Sequence, residues 1–131
     1  MSTIRPSVDV LTLFEPDLDK AKEFYGRVFN KQPDFADDQT ANYHFDNLII
    51  NLERESGSAE QIGELPVAPQ SAGNRVVVST FVENADAACA ELKSRGVDVI
   101  SGPETTPWGT RPAIFTDPGG HLWKIVQNSS G

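Results

Sequence analysis

A tryptophan held between a proline and a glycine, Pro107-Trp108-Gly109, can present a flat indole at low entropic cost. Arg111, two residues on, can add a cation–π or hydrogen-bonded contact to a planar molecule lying on that indole. The competing use of Trp108 is to cover an interface between two copies of the chain. Lys124, in an apolar stretch, can hold an anionic or carbonyl oxygen, or it can snorkel to solvent or pair with Glu53. Only two histidines occur, His44 and His121. His121 opens a strand straight after a turn, so a solvated ring is expected there. A single carboxylate such as Glu53, without imidazole partners, does not make a catalytic metal centre. Gly119-Gly120 reads as a turn pair and not as a phosphate loop, and no nucleophile-elbow context surrounds any serine. No catalytic residue is therefore assigned.

These groups sit in a chain of 131 residues with ordinary globular composition, 38% hydrophobic and 23% charged. Nineteen acidic residues against eleven basic ones give a net charge of −8, which argues against a phosphate-binding face and so against nucleic acid. The longest apolar runs, such as Leu48-Ile49-Ile50, are far too short to cross a membrane. Cys89 is the single cysteine, so neither an intrachain disulfide nor a cysteine zinc site is available. The opening MSTIRPSVD lacks the apolar stretch of a signal peptide, and a reducing, cytoplasmic setting is expected.

The elements that must position the groups follow from periodicity. Val8 to Phe14 reads as a strand, stopped by Pro16. Asp17 caps a helix whose apolar face is Leu18, Ala21, Phe24, Tyr25, Val28 and Phe29. Phe35 and Tyr43 to Phe45 fall in short strands, and Leu48 to Glu53 in a firmer one. Residues 54–73 are turn-rich and read as a linker. The order then returns: a strand over Arg75 to Val82, and a helix from Asn84 to about Arg95 with Ala85, Ala88, Cys89 and Leu92 on one face. Short strands follow over Val97 to Ile100, Pro112 to Thr116 and His121 to Gln127. An offset of 67 lays Val10 on Val77 and Asp17 on Asn84, and an offset of 73 lays Asn51 on Lys124. The reading is one domain over 1–131: a βαβββ module over about 5–54, a linker over about 55–73 and a second module over about 74–128.

The run Asp17-Leu18-Asp19-Lys20-Ala21 with Phe24-Tyr25, the run Phe81 to Ala88, and Gly109 to Trp123 with its Asp117-Pro118-Gly119-Gly120-His121 turn together resemble the vicinal oxygen chelate superfamily. That group includes glyoxalase I, bleomycin-resistance proteins and extradiol dioxygenases. The resemblance implies an α+β fold in which paired modules form an open, curved mixed sheet around a cavity, often completed in a homodimer. Enzymes of the family hold a divalent metal through four strand positions, and these fall here on Val10, Asn51, Val77 and Lys124. Two valines and a lysine cannot serve as ligands. No metal and no other cofactor is therefore expected.

Alternation along the strands then puts Val10 and Phe14, Val77 and Ser79, Asn51, and Lys124 on the cavity side. It puts Leu11, Leu13, Ile50, Leu52, Val76, Val78, Trp123 and Ile125 beneath the helices. Asn51 and Lys124 are expected to meet by pseudo-symmetry. Phe35 and Tyr43 are candidates for a second aromatic wall. The resemblance is nearest to small drug-binding members, in which a similar tryptophan stacks on the ligand. The expected function is metal-free binding of an aromatic small molecule by a dimer, as in antibiotic or toxin sequestration. The alternative is a metal-dependent lyase or dioxygenase with an unusual ligand set, such as Glu53 with His44 or His121. A third reading is a metal-free enzyme using Lys124 as acid or base.

Overall fold

A computed structural model describes residues 3–128; the ends of the expected 1–131 domain, residues 1–2 and 129–131, lie outside the described residues. The first module comprises β1 (Val10–Glu15), α1 (Leu18–Phe29), β2 (Phe35–Ala36), β3 (Thr40–His44) and β4 (Ile49–Arg54). They form a four-stranded sheet in the order β1-β4-β3-β2, with β1 parallel to β4 and the other pairs antiparallel. The second module comprises β5 (Val77–Val82), α3 (Ala85–Ser94), β6 (Arg111–Thr116) and β7 (Leu122–Gln127), in a three-stranded sheet ordered β5-β7-β6. Both modules place their first strand parallel to their last, which needs a helical crossover between them.

The register makes the internal repeat concrete. Thr12 lies opposite Asn51 on β1 and β4, and Ser79 lies opposite Lys124 on β5 and β7. Both helix starts use the expected caps: Asp17 accepts from the Lys20 amide at 3.1 Å and Asn84 from the Ala87 amide at 2.9 Å. Asn30 ends α1 with φ 51°, a left-handed conformation that asparagine tolerates.

The expected α+β fold of two modules is present, its open mixed sheet divided into parts of four and three strands. Several other expectations change in detail. The second module lacks a formed counterpart of β2: Val97 to Ile100 is not a strand, and only an isolated bridge from Ser101 to Ile114 remains. The linker is not featureless. It carries 3-10 turns over Glu55–Gly57 and Gln70–Ala72 around α2, the short helix Ala59–Ile62. Val76 is exposed and not packed beneath a helix, because β5 begins only at Val77.

Core-side residues of both sheets merge into one apolar cluster with both long helices. Leu13, Ile50 and Leu52 from the first sheet join Phe115, Trp123 and Ile125 from the second, with Tyr25 of α1 between them. Tyr25 packs edge-on to Trp123 at 5.8 Å between centroids, and Phe29 does so at 5.4 Å. Arg95 reaches back to the Val28 carbonyl at 3.0 Å, which ties α3 to the end of α1. Cys89 is buried in this core, as its helical position suggests. Among the described residues, no helix is long and apolar enough to cross a membrane.

Candidate functional site

The outward faces of the two sheets carry Val10, Phe14 and Asn51 on the first and Val77, Ser79 and Lys124 on the second. On the first, Val10 is half exposed, Phe14 is partly covered, and Asn51 bridges its neighbours. Thr40 donates its hydroxyl to the Asn51 carbonyl oxygen at 2.8 Å, and the Asn51 amide donates to Thr12 Oγ1 at 3.4 Å. On the second, Val77 is half exposed and Ser79 and Phe81 are exposed. Lys124 is partly buried, between Ser79 and Ile114 in the neighbouring strands. Among the described residues, no hydrogen bond or ion pair joins Asn51 to Lys124; they occupy equivalent places on different sheets.

Trp108 lies in the loop before β6 and is 74% exposed, whereas Trp123 is 1% exposed. Arg111 is engaged elsewhere than at the indole. Its guanidinium makes a bidentate pair with Asp86 of α3, at 3.1 and 3.0 Å, and donates to Thr105 Oγ1 at 2.9 Å. That pair pulls the Asp86 carboxyl below its ordinary range. Phe35 is exposed on edge strand β2. Tyr43 is not a cavity wall: it is buried in the core, with its ring 6.2 Å from Tyr25. Strand alternation puts it on the helix side, where aromatic packing is available.

The four residues on which the resemblance was expected to place metal ligands do not suit a metal. Val10 and Val77 offer no lone pair, Lys124 offers only a cationic amine, and the Asn51 amide is already bonded to Thr12 and Thr40. Glu53, two residues along β4 from Asn51, is buried and takes a 3.4 Å bond from Gln61 Nε2 of α2. His44 is exposed on β3 and stands apart from it.

A second cluster lies on the core side of the sheets. His121 is not a solvated turn residue. Its Nδ1 stands 3.0 Å from Glu15 Oε2, 3.0 Å from Asp117 Oδ2 and 3.1 Å from Asp117 Oδ1. The Asp117-to-His121 turn builds this contact: the Asp117 carboxylate also accepts the His121 backbone amide at 2.9 Å. Tyr25 donates its hydroxyl to Asp117 Oδ2 at 2.7 Å, and the Trp123 indole donates to the Tyr25 oxygen at 2.8 Å. Glu15 closes the cluster from the end of β1, fully buried.

The charges settle against each other. Burial pushes the Glu15 carboxyl up to about 8, although His121 opposes this. Burial also works against a charged Asp117, but the hydrogen-bonded His121 and Tyr25 and the neighbouring Glu15 hold it down at about 2. His121 is raised to about 10: burial alone would lower it, and the two carboxylates outweigh that. The Tyr25 hydroxyl is held protonated by burial and by Asp117.

Sequence reasoning missed this group as a unit. The available signal was the Asp117–His121 spacing around a Pro-Gly-Gly turn, together with an acidic residue closing β1 beside Pro16. Gly119 packs directly on Glu15: a Cβ there would stand 2.5 Å from Glu15 Oε1. Gly119→Ala should therefore lower stability by about 1–3 kcal/mol, as overpacking of a filled site does. Thermal unfolding of the variant checks this.

Taken with the geometry, the comparisons identify the class. A profile of the Glyoxalase/Bleomycin resistance protein/Dioxygenase superfamily matches residues 7–125, and the chain belongs to that family. A glyoxalase/bleomycin resistance protein/dioxygenase from Nocardioides is 25% identical, with TM-score 0.86, covering 99% of this chain and 88% of that one. A glyoxalase-related enzyme from Fulvimarina pelagi is 21% identical, with TM-score 0.79, covering 95% and 89%. A lactoylglutathione lyase from Agrobacterium tumefaciens is 16% identical, with TM-score 0.72, covering 95% of each chain. The last two likenesses bear on the fold alone. A comparison with curated protein sequences returned no match.

Proposed function

We propose that this chain binds an aromatic small molecule without a metal at the family's ligand positions, and that it acts by occupying the ligand, as a resistance or sequestering protein does. The observation that carries this reading is the residue set Val10, Asn51, Val77 and Lys124 in place of metal ligands. The outward faces around them are apolar with a few polar points, the usual composition of a small-molecule site. Because these faces are open in one chain, the reading includes a homodimer whose second copy closes them. Trp108 supplies the stacking surface, Phe14 and Ser79 line the faces, and Lys124 meets an anionic or carbonyl group of the ligand. Arg111 serves the site by bracing the Trp108 loop against α3. The alternative lyase or dioxygenase chemistry lacks a ligand set on these faces: His44 lies four positions along β3 from the residue opposite Glu53, and His121 is engaged by Glu15 and Asp117.

The two tryptophans make the test direct. Trp123 is shielded, so quenchable emission comes from Trp108. Titration with bleomycin and with planar aromatic dyes should quench that emission, and native mass spectrometry should show ligand on a dimer. Trp108→Ala should weaken binding of any confirmed probe about 10-fold, from loss of one stacked aromatic face worth about 1–1.5 kcal/mol. Undiminished affinity in that variant would remove the stacking role.

A further inference from the structure

Glu15 poses a problem that hydrogen bonding within the protein does not solve. It is fully buried, and neither of its carboxylate oxygens receives a hydrogen bond of acceptable geometry. Oε2 does approach His121 Nδ1 at 3.0 Å. That nitrogen carries at most one hydrogen, and both oxygens of Asp117 compete for it at 3.0 and 3.1 Å. Oε1 faces the Gly119 backbone, which offers it no donor. A buried carboxylate left in this state is costly, and a proton on one oxygen still leaves the other bare.

We propose that Glu15, Asp117 and His121 form a binding site for one divalent transition-metal ion of the zinc type, on the core side of the sheets and separate from the family's metal positions. One ligand atom from each residue lies within 4.8 Å of the other two. Donors around such an ion, at about 2.0–2.2 Å from it, stand roughly 3.0–3.5 Å apart. The two separations from Nδ1 already match this. One imidazole with two carboxylates favours zinc, cobalt or nickel over magnesium or calcium, which prefer oxygen donors throughout. A supporting layer is in place: Tyr25 orients Asp117, and Trp123 orients Tyr25. His121 is the accessible member. It borders a cleft of about 250 Å³ with Phe14, Gln70, Gly119 and Gly120, which gives an ion a route inward. Because Glu15 closes β1 of the first sheet while Asp117 and His121 flank the β6–β7 turn of the second, the ion would clamp the two modules together. The proposal is independent of the ligand reading above, because none of its three ligating residues is assigned to that site.

The test uses the whole chain after exhaustive chelation. Zinc titrated by calorimetry should bind one ion per chain, and cobalt should give a visible absorption band of nitrogen–oxygen coordination. Glu15→Gln and His121→Asn should weaken zinc binding about 100-fold or more, while His44→Ala, which removes the other histidine, should leave it unchanged. Imidazole NMR of the wild-type chain needs no variant: zinc should shift the His121 ring and spare His44. The proposal fails if no stoichiometric zinc binding occurs, if the His44 ring shifts instead, or if folded Glu15→Gln binds zinc as the wild type does. In each of those cases Glu15 is a protonated carboxyl and nothing more.

Discussion

Asp117→Asn is expected to lower the stability of the metal-free chain by about 3–5 kcal/mol, the usual cost of removing one partner from a buried charged pair. For a domain of this length that is a fall in Tm of roughly 10–15 °C. The change is nearly isosteric, so packing is preserved and the effect is chemical. Asp117 accepts hydrogen bonds from the Tyr25 hydroxyl, the His121 amide and the His121 ring at once. An asparagine can keep its carbonyl toward the His121 amide. Its NH2 group then faces Tyr25, whose oxygen already receives the Trp123 indole. The tyrosine hydrogen loses its acceptor, and the imidazolium loses its counter-ion. Thermal and denaturant unfolding measure the loss. Asp86→Asn is the control: it breaks the bidentate pair with Arg111 at an exposed site, where screening leaves little to lose, and Tm should barely move. Equal losses in the two variants would contradict the importance assigned to the buried cluster.

The second large effect is on pH dependence. The metal-free chain should be most stable near pH 4–5 and lose stability steadily toward pH 10. Glu15 is pushed up to about 8 by burial, against an ordinary value of 4.5, so between those limits the folded chain holds a proton that the unfolded chain has released. His121, raised to about 10 from 6.5, extends the same imbalance upward: burial opposes its charge, and the flanking carboxylates override it. Both groups bind protons more tightly in the fold, so both contributions are lost as pH rises. Asp117 has the opposite sign: held at about 2 against 3.8, it costs stability only as pH falls below about 4. One unit of displacement is worth about 1.4 kcal/mol, and because the three groups share protons we expect a total on the order of 3 kcal/mol between pH 5 and 9. A Tm profile across this range checks it, and His121→Asn should flatten the alkaline limb. A Tm that rises between pH 5 and 8 would sink the protonation scheme. Zinc should reverse the slope above pH 6, because a metal competes with protons for the same atoms.

Much of the scaffold was legible because it depends on local rules. Alternation marked β1, β4, β5 and β7, helical spacing marked α1 and α3, and Asp17 and Asn84 act as caps through their own side chains. The duplicated pattern was equally readable, since it follows from the order of elements along the chain. The bridge that replaces a fourth strand in the second module, and the short helices of the linker, were not. Both depend on which neighbours satisfy the backbone, and no local period reports that.

The sequence by itself determined that strand, helix and strands recur, with Val10 and Val77, and Asn51 and Lys124, at equivalent places in the two copies. Only the tertiary structure decided what His121 does. Its partners include Glu15 at the far end of the chain, and Asp117 is completed by Tyr25, 92 positions away. A histidine after a turn is ordinarily wet. Here the packing of α1 against both sheets buries the turn's carboxylate, and that carboxylate and Glu15 hold the part-exposed ring against the protein. Protons are shared among these side chains, and their arrangement exists only once the two modules are packed together.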